Sequence, residues 1–171
     1  MSTEDAAIQF LATLFGVVLG IPAGWAIDRL VTKRHNRKNA LYILKNIKTE
    51  VGHNISSLQA LKKDLELDRI ALSNVELVRW NSLSIGEYQE IISPELISNI
   101  CSLYADLELL SKKVQLQIDI NYSALRATWE SDLYNSERRI IVDSIQEEIP
   151  DLLERCKKIE SDIDDEIKRL V

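Results

Sequence analysis

Cysteine and histidine are the side chains of this chain best suited to nucleophilic or metal chemistry, and the chain has two of each. Cys101 and Cys156 do not form a Cys-x-x-Cys pair of the kind found in structural zinc sites. Both lie on or beside apolar stripes of predicted helices, where thiols behave as small apolar side chains. His53 has no potential partner nearby in sequence, and we interpret it as a surface or packed residue. The sequence therefore predicts no metal ion, no cofactor and no catalytic residue, and hence no enzyme.

A run of acidic residues near the C-terminus could also bind a cation. On a helix, however, most of the run falls on a solvated face, where Asp164 and Lys168 have the i,i+4 spacing of an ion pair. Asp165 and Arg169 have the same spacing, so we predict an ion-paired surface. The run consists of Glu160, Asp162, Asp164, Asp165 and Glu166.

Arg29 and His35 form a third candidate, with the spacing R-x5-H. This spacing resembles the Arg/His motif of HEPN-type ribonucleases, and the layout of the chain is similar to that of membrane-attached CRISPR accessory relatives of that family. The resemblance covers these two residues and the overall layout. It implies a helical fold in which two copies form a composite site, and a HEPN-like RNA-binding or RNase accessory protein is therefore one alternative function.

The elements that would position these residues are helices. The chain has 171 residues, the length of one domain, and 46% of them are apolar. It contains only five Gly and three Pro, too few of the breakers that an all-β or Rossmann-like fold needs. We therefore predict an all-α fold.

An uncharged apolar stretch near the N-terminus predicts a transmembrane helix. Residues 6–27 carry no charge, and at about 1.5 Å per residue they reach roughly 33 Å, enough for a hydrocarbon core of roughly 30 Å. Gly24-Trp25-Ala26 would also suit signal-peptide cleavage, but the preceding residues are acidic where a signal peptide is basic. We assign residues 1–5 to a short extracytoplasmic terminus and 6–28 to the transmembrane helix.

A basic segment follows this stretch and predicts its orientation. Residues 1–28 carry a charge of −3, residues 29–48 carry +7 and the remainder carries −10. By the positive-inside rule, we predict that the helix spans the inner membrane with the N-terminus outside and the C-terminal part in the cytoplasm. The acidic remainder would repel phosphate, so we do not expect nucleic acid as a partner. The residues predicted to anchor the helix at the interface are Trp25, Arg29, Lys33, Arg34, Arg37 and Lys38.

Small residues recur at every fourth position of the predicted span. Ala12, Gly16, Gly20 and Gly24 fall along one side of the helix, as in a glycine zipper. Such a side lets two backbones approach closely, which predicts self-association as a homo-oligomer. Pro22 removes one helical hydrogen bond within this segment and predicts a kink.

Three amphipathic stripes predict the remaining architecture. The first, from Leu41 to Leu65, follows the basic segment 29–48, and one alternative is that it continues the membrane helix as one rod. Ser93-Pro94-Glu95 starts a second helix, over 94–133, and Asn135-Ser136 starts a third that Pro150 would bend or restart. We predict that residues 49–171 form a cytoplasmic antiparallel helical bundle, or a coiled coil between chains. Ser84 to Ile92 has the capping-box spacing of a further short helix.

The leading functional interpretation is a single-pass, self-associating, non-enzymatic anchor or adaptor for a cytoplasmic protein partner. A second interpretation is a membrane effector of the prokaryotic antiviral-defence type, in which several spans assemble into a pore. Its lumen would be lined by Gln9, Thr13 and backbone, which is little polar surface for a permanent channel.

Overall fold

The computed structural model describes residues 3–67, 69, 75–78, 91–126 and 131–171; most of these residues are helical, and none of them lies in a strand. The helices are α1 (Thr3–Glu66), α2 (Pro94–Arg126) and α3 (Ser131–Leu170). The all-α prediction is therefore confirmed for the described part of the chain.

Helix α2 begins where the sequence predicts. Pro94 occupies the first helical position, where its missing N–H is not needed, and Glu95 adds a negative charge to the first turn. The Ser93 carbonyl accepts the first hydrogen bond of the helix, from the Ile97 N–H at 3.1 Å. The predicted short helix that starts at Ser84 lies mostly outside the described residues.

The junction between α2 and α3 differs from the prediction. Helix α3 is already helical at Ser131 and passes through Asn135-Ser136, so the predicted start there is wrong. Helix α2 is described as far as Arg126, and residues 127–130 lie outside the described residues. The sequence Ser131-Asp132 is itself suited to a helix start, since small polar and acidic residues favour the first positions. Helix α3 then continues through Pro150 without restarting, and α1 likewise continues through Pro22.

The chain divides by its contacts into two units, residues 1–39 and residues 40–171. We call them the N-terminal unit and the bundle unit. The division falls within the predicted basic segment 29–48, next to Ala40, which is the first fully buried residue among the side chains of α1 that the structure describes.

The core of the bundle unit is one apolar cluster to which all three helices contribute at helical spacing. From α1 it includes Leu44, Ile47, Val51, Leu58 and Leu61; from α2, Ile100, Leu103, Leu107 and Leu110; and from α3, Ile145, Ile149, Cys156 and Ile163.

Ion pairs across the bundle unit give the helix directions. Arg155 of α3 binds Asp106 of α2 at 2.6 Å, and farther along both helices Lys113 of α2 binds Glu148 of α3. As the α2 number rises the α3 number falls, so these helices run antiparallel.

Helix α1 also runs antiparallel to α3. Lys48 of α1 binds Asp164 of α3 at 2.6 Å, and the ideal Cβ position of Gly52 lies 4.0 Å from Glu160 Oε1. Within the bundle unit α1 and α2 therefore point the same way, which is possible because the connection 67–93 between them is long.

Candidate membrane-binding and self-association surface

The described side chains of the N-terminal unit are exposed almost throughout. Ile21 is 68% exposed and Trp25 is 65% exposed, values that apolar residues reach on a helix without a protein neighbour. Successive residues turn by about 100° around a helix, so these side chains cover its whole circumference rather than one stripe. The exposed apolar residues of this unit are Phe15, Val17, Val18, Ile21, Trp25, Ile27, Leu30 and Val31.

One described helix is long and apolar enough to cross a membrane. It is α1, and the stretch that meets the length and hydropathy requirement lies within Phe15–Glu66 and has no buried residue. A surface helix of a soluble protein buries one apolar face in the core. A helix that is apolar on all sides is instead found deep in a protein core or in a membrane.

The three glycines of this stretch have open space where a side chain would be. A Cβ atom built on Gly16, Gly20 or Gly24 meets no heavy atom within 4 Å. Among the described residues, therefore, no close contact within the monomer requires glycine at these positions. Ala12 lies in α1 on the same predicted side, but its side chain is outside those that the structure describes.

The basic segment next to this stretch keeps its cations in solvent. The Arg29 guanidinium lies over the Trp25 ring, 5.3 Å from its centroid, a cation–π contact that holds the two predicted anchors side by side. The other predicted anchors are exposed on the next two turns of α1; they are Lys33, Arg34, Arg37 and Lys38.

The R-x5-H pair is not brought together. Arg29 and His35 are both exposed residues of the N-terminal unit. Six positions of an α-helix correspond to about 600° of rotation, so the two side chains leave α1 about 120° apart. A joint site would need a second chain.

The cysteine prediction is confirmed for Cys156, which is a free thiol fully buried in the core. Burial raises the pKa of this thiol to about 11, although neighbouring Arg155 opposes the shift. The thiol is therefore protonated at neutral pH and acts as a core side chain. Cys101 is half-buried and also free.

The acidic run is ion-paired, but with partners other than those predicted. Asp164 reaches across to Lys48, and Asp165 binds Lys168 at 2.8 Å with i,i+3 spacing. Glu166 likewise binds Arg169, three positions later. Both pairs therefore have i,i+3 spacing, whereas the predicted pairs had i,i+4 spacing. Among the described residues no group of three or more His, Cys, Asp or Glu side chains is arranged to hold a metal ion.

Glu166 is a buried residue of this run, not a solvated one. Its Oε1 accepts the Ser93 N–H at 2.8 Å and an Arg169 N–H at 2.5 Å. Arg169 also donates to the Ile91 carbonyl at 2.5 Å. Burial would raise the pKa of Glu166, but the hydrogen bonds from Arg169 and Ser93 outweigh it and hold the pKa below its usual value. These contacts fasten the start of α2 to the end of α3.

A second polar cluster, which the sequence reading missed, lies on α1. The buried Asn54 side chain donates to the Glu76 carbonyl at 2.9 Å and accepts the Glu76 N–H at 2.7 Å. One turn earlier, Glu50 is also buried. The pKa of Tyr104 in α2 is raised by burial first and by the charge of Glu50 next. The signal in the sequence was two polar residues, four positions apart, inside an apolar stripe.

Comparison with protein-family models, with curated proteins and with solved structures found no match. The contacts and exposures of the chain's own residues are therefore what bears on its function.

Proposed function

We propose that the protein is a single-pass membrane protein that self-associates and serves as a non-enzymatic anchor or adaptor for a cytoplasmic partner. The observation that carries this proposal is the contrast within α1: the described apolar side chains from Phe15 to Val31 are exposed on all sides, whereas from Ala40 onward apolar side chains are buried in a stripe. In water an apolar surface of that extent would be costly, since each large side chain gains about 1.5 to 3 kcal/mol on burial. A lipid bilayer removes that cost.

The orientation follows from charge. The N-terminus carries Glu4 and Asp5, whereas the opposite end of the stretch is followed by seven cations in residues 29–48. Cytoplasmic flanks of membrane helices carry an excess of Lys and Arg, so the bundle unit lies on the cytoplasmic side of the inner membrane.

The self-association part of the proposal rests on the glycines. Glycine in a helix interior is less favourable than alanine by about 1 kcal/mol in water. No contact within the described monomer requires that a side chain be absent at these positions. Small residues at four-residue spacing are the recurring contact between membrane helices, because they let backbones approach. The occupant of this space is a second copy of α1.

The adaptor part rests on the surface of the bundle unit. Leu109 is 55% exposed and Leu116 is 50% exposed, and residues seven positions apart lie on the same side of α2. Leu109 also lines an open groove of about 400 Å³ between α2 and α3, with Lys113 and Arg155 among its charged residues. An apolar residue flanked by both signs of charge suits a helix of a protein partner.

The test is the mass of the full-length protein in nanodiscs, measured by light scattering with correction for lipid. We expect an oligomer whose monomer fraction rises in Gly20→Leu, because the leucine fills the space between two backbones. The matched control is Val18→Leu, about 160° around the helix from Gly20. Outside the backbone of its own helix turn and its two chain neighbours, no described heavy atom lies within 4 Å of the Gly20 Cβ position, so the leucine meets no clash within the described monomer.

Each other outcome of the mass measurement points to a different basis of assembly or a different function. A monomeric wild-type protein would contradict self-association and leave a simple tether. An unchanged Gly20→Leu oligomer would assign association to the bundle unit, in particular to the α3 stripe from Ile141 to Leu170. An oligomer larger than a dimer that also releases ions from vesicles would replace the adaptor by the pore-forming effector.

A further inference from the structure

We propose that the basic collar, defined as Arg29, Lys33, Arg34, Arg37 and Lys38, is a binding site for anionic phospholipid headgroups. The inference rests on the proposed membrane insertion and adds a ligand class to it. The collar would gather acidic lipids around the helix rather than only set its depth.

The spacing of the collar residues produces two rows of cations. Arg29, Lys33 and Arg37 follow one another at four-residue intervals, and Arg34 and Lys38 form a second row beside them. Residues four apart on a helix have Cβ atoms about 5 to 6 Å from each other. A phosphate between two members of a row can therefore accept hydrogen bonds from both, the charge-assisted arrangement that Arg and Lys favour.

The collar differs from the cations of the bundle unit in its surroundings. Lys48 and Arg155 are half-buried and bind carboxylates of other helices, Asp164 and Asp106. The collar side chains are exposed to solvent, and from Arg29 to Lys38 the segment contains no acidic residue. Its positive charge is therefore not offset within the segment itself.

The contact between Trp25 and Arg29 sets the level of the collar. Tryptophan is enriched at the height of the headgroups, and the Arg29 guanidinium lies on its ring. From Arg29 the collar extends about 13 Å along the helix axis, and long Lys and Arg side chains can bend back toward the interface. All five cations can thus reach the headgroup layer.

The charge balance of the chain favours lipid over nucleic acid as the anion. The segments outside residues 29–48 carry −3 and −10, and a long polyanion lying along the collar would be repelled by them. Headgroups are separate small anions in the plane of the bilayer, so they can neutralise the collar without being repelled as a long polyanion would be.

The test uses full-length protein reconstituted in phosphatidylcholine vesicles that contain a minority of phosphatidylglycerol. Spin-labelled versions of the two lipids report, by electron spin resonance, the fraction of each lipid held at the protein. The collar variant is Arg29→Gln, Lys33→Gln, Arg34→Gln, Arg37→Gln and Lys38→Gln together. The control removes the same charge from exposed lysines of the bundle unit: Lys62→Gln, Lys63→Gln, Lys112→Gln, Lys157→Gln and Lys158→Gln.

We expect the wild-type protein and the control to hold phosphatidylglycerol about fivefold or more over phosphatidylcholine, since one cation near an anionic surface already gives about that factor. The preference should shrink as salt is raised. The collar variant should hold both lipids equally while keeping the same helix content by circular dichroism. A collar variant with the wild-type preference would overturn the inference, and so would a wild-type protein with no preference.

A parallel measurement distinguishes this inference from the proposed function. Alkaline carbonate extraction reports membrane insertion without regard to lipid type. Protein that stays in the membrane but has no lipid preference contradicts the headgroup site alone, whereas release of the wild-type protein contradicts both proposals. Binding of single-stranded RNA by the wild-type protein, lost in the collar variant and without any lipid preference, would assign the collar to nucleic acid instead.

Discussion

The two ends of α1 contain similar apolar residues in opposite surroundings. In the bundle unit Leu44, Ile47 and Val51 are fully buried against α2 and α3, whereas Val18, Ile21 and Trp25 of the N-terminal unit are more than half exposed. In the bundle unit α1 has an amphipathic stripe and gains its stability from protein neighbours. In the N-terminal unit the described apolar side chains are exposed on all sides, and the proposed membrane is the medium that would cover them.

Polar groups are used just as differently in the two units. In the bundle unit Asn54 and Glu166 are buried and hydrogen-bonded to a distant part of the chain, and Glu50 is buried as well. In the described N-terminal unit the charged side chains are exposed and collect at one end. Under the proposed function the two parts of α1 lie in different solvents, and each of the following changes tests one side of that comparison.

The largest effect is expected where charge enters the exposed apolar stretch. Val17→Arg with Ile21→Arg should abolish membrane insertion, because two arginines near the centre of a span cost about 5 to 7 kcal/mol. That cost cancels the roughly 3 to 6 kcal/mol by which the span favours insertion. Carbonate extraction measures the result. The control is Leu109→Arg with Leu116→Arg, equally exposed residues of α2, and the comparison fails if this control leaves the membrane as readily.

A smaller but still large effect is expected in the core of the bundle unit. Leu107→Ala should lower the free energy of unfolding by about 3 kcal/mol, since it removes a fully buried side chain and leaves a cavity. Leu109→Ala, two positions away and exposed, should change it by less than about 1 kcal/mol. Urea unfolding of the full chain in nanodiscs, followed by circular dichroism, compares them. Equal losses would mean that Leu109 is covered in the assembled protein.

Removal of the Asn54 side chain should have an intermediate effect. Asn54→Ala leaves the N–H and carbonyl of Glu76 without their partner and should cost about 2 kcal/mol. His53→Ala removes an exposed contact to the same residue, 3.2 Å from Glu76 Oε1, and should cost less than about 1 kcal/mol. Hydrogen exchange at residues 75–78 should rise in the first variant only. Similar exchange in both would show that the Asn54 hydrogen bonds do not hold this segment.

The smallest effect is a pH dependence that Glu166 should give the bundle unit. The pKa of Glu166 in the folded protein lies below the usual pKa of a glutamate, so its contribution to stability is complete above that usual pKa and is lost as the pH falls through the lowered pKa. Glu166→Gln should therefore be less stable than wild type at neutral pH, and the two should converge in acid. Urea unfolding at a series of pH values tests this, and a constant difference down to the most acidic point would contradict it.

The sequence was sufficient where local chemistry decides the structure. Ser93-Pro94-Glu95 predicted the start of α2, and apolar residues at intervals of three and four predicted the buried stripes of all three helices. The start of α3 was predicted four residues too late, because two adjacent segments have residues suited to a helix start.

What could not be predicted depends on residues far apart in the chain. The Asn54–Glu76 contact joins positions 22 apart and the Ser93–Glu166 contact joins positions 73 apart. Glu166 follows the same charge pattern as its exposed neighbours, and only the approach of Ser93 and Arg169 makes its burial favourable. The shared direction of α1 and α2 likewise depends on the path of a long connection, which no helical periodicity specifies.

The central claim, that the N-terminal part of α1 lies in lipid with its collar on the cytoplasmic side, can be tested directly by cysteine accessibility. Single cysteines would be placed at each position from 13 to 39 in a chain carrying Cys101→Ser and Cys156→Ala. A membrane-impermeant maleimide is then applied to whole cells and to inverted vesicles. We expect an unbroken block of protection over residues 13–27 and labelling from Lys33 onward in inverted vesicles only. Labelling at every position, or protection only at every third or fourth residue as for a helix against a protein surface, would contradict the account.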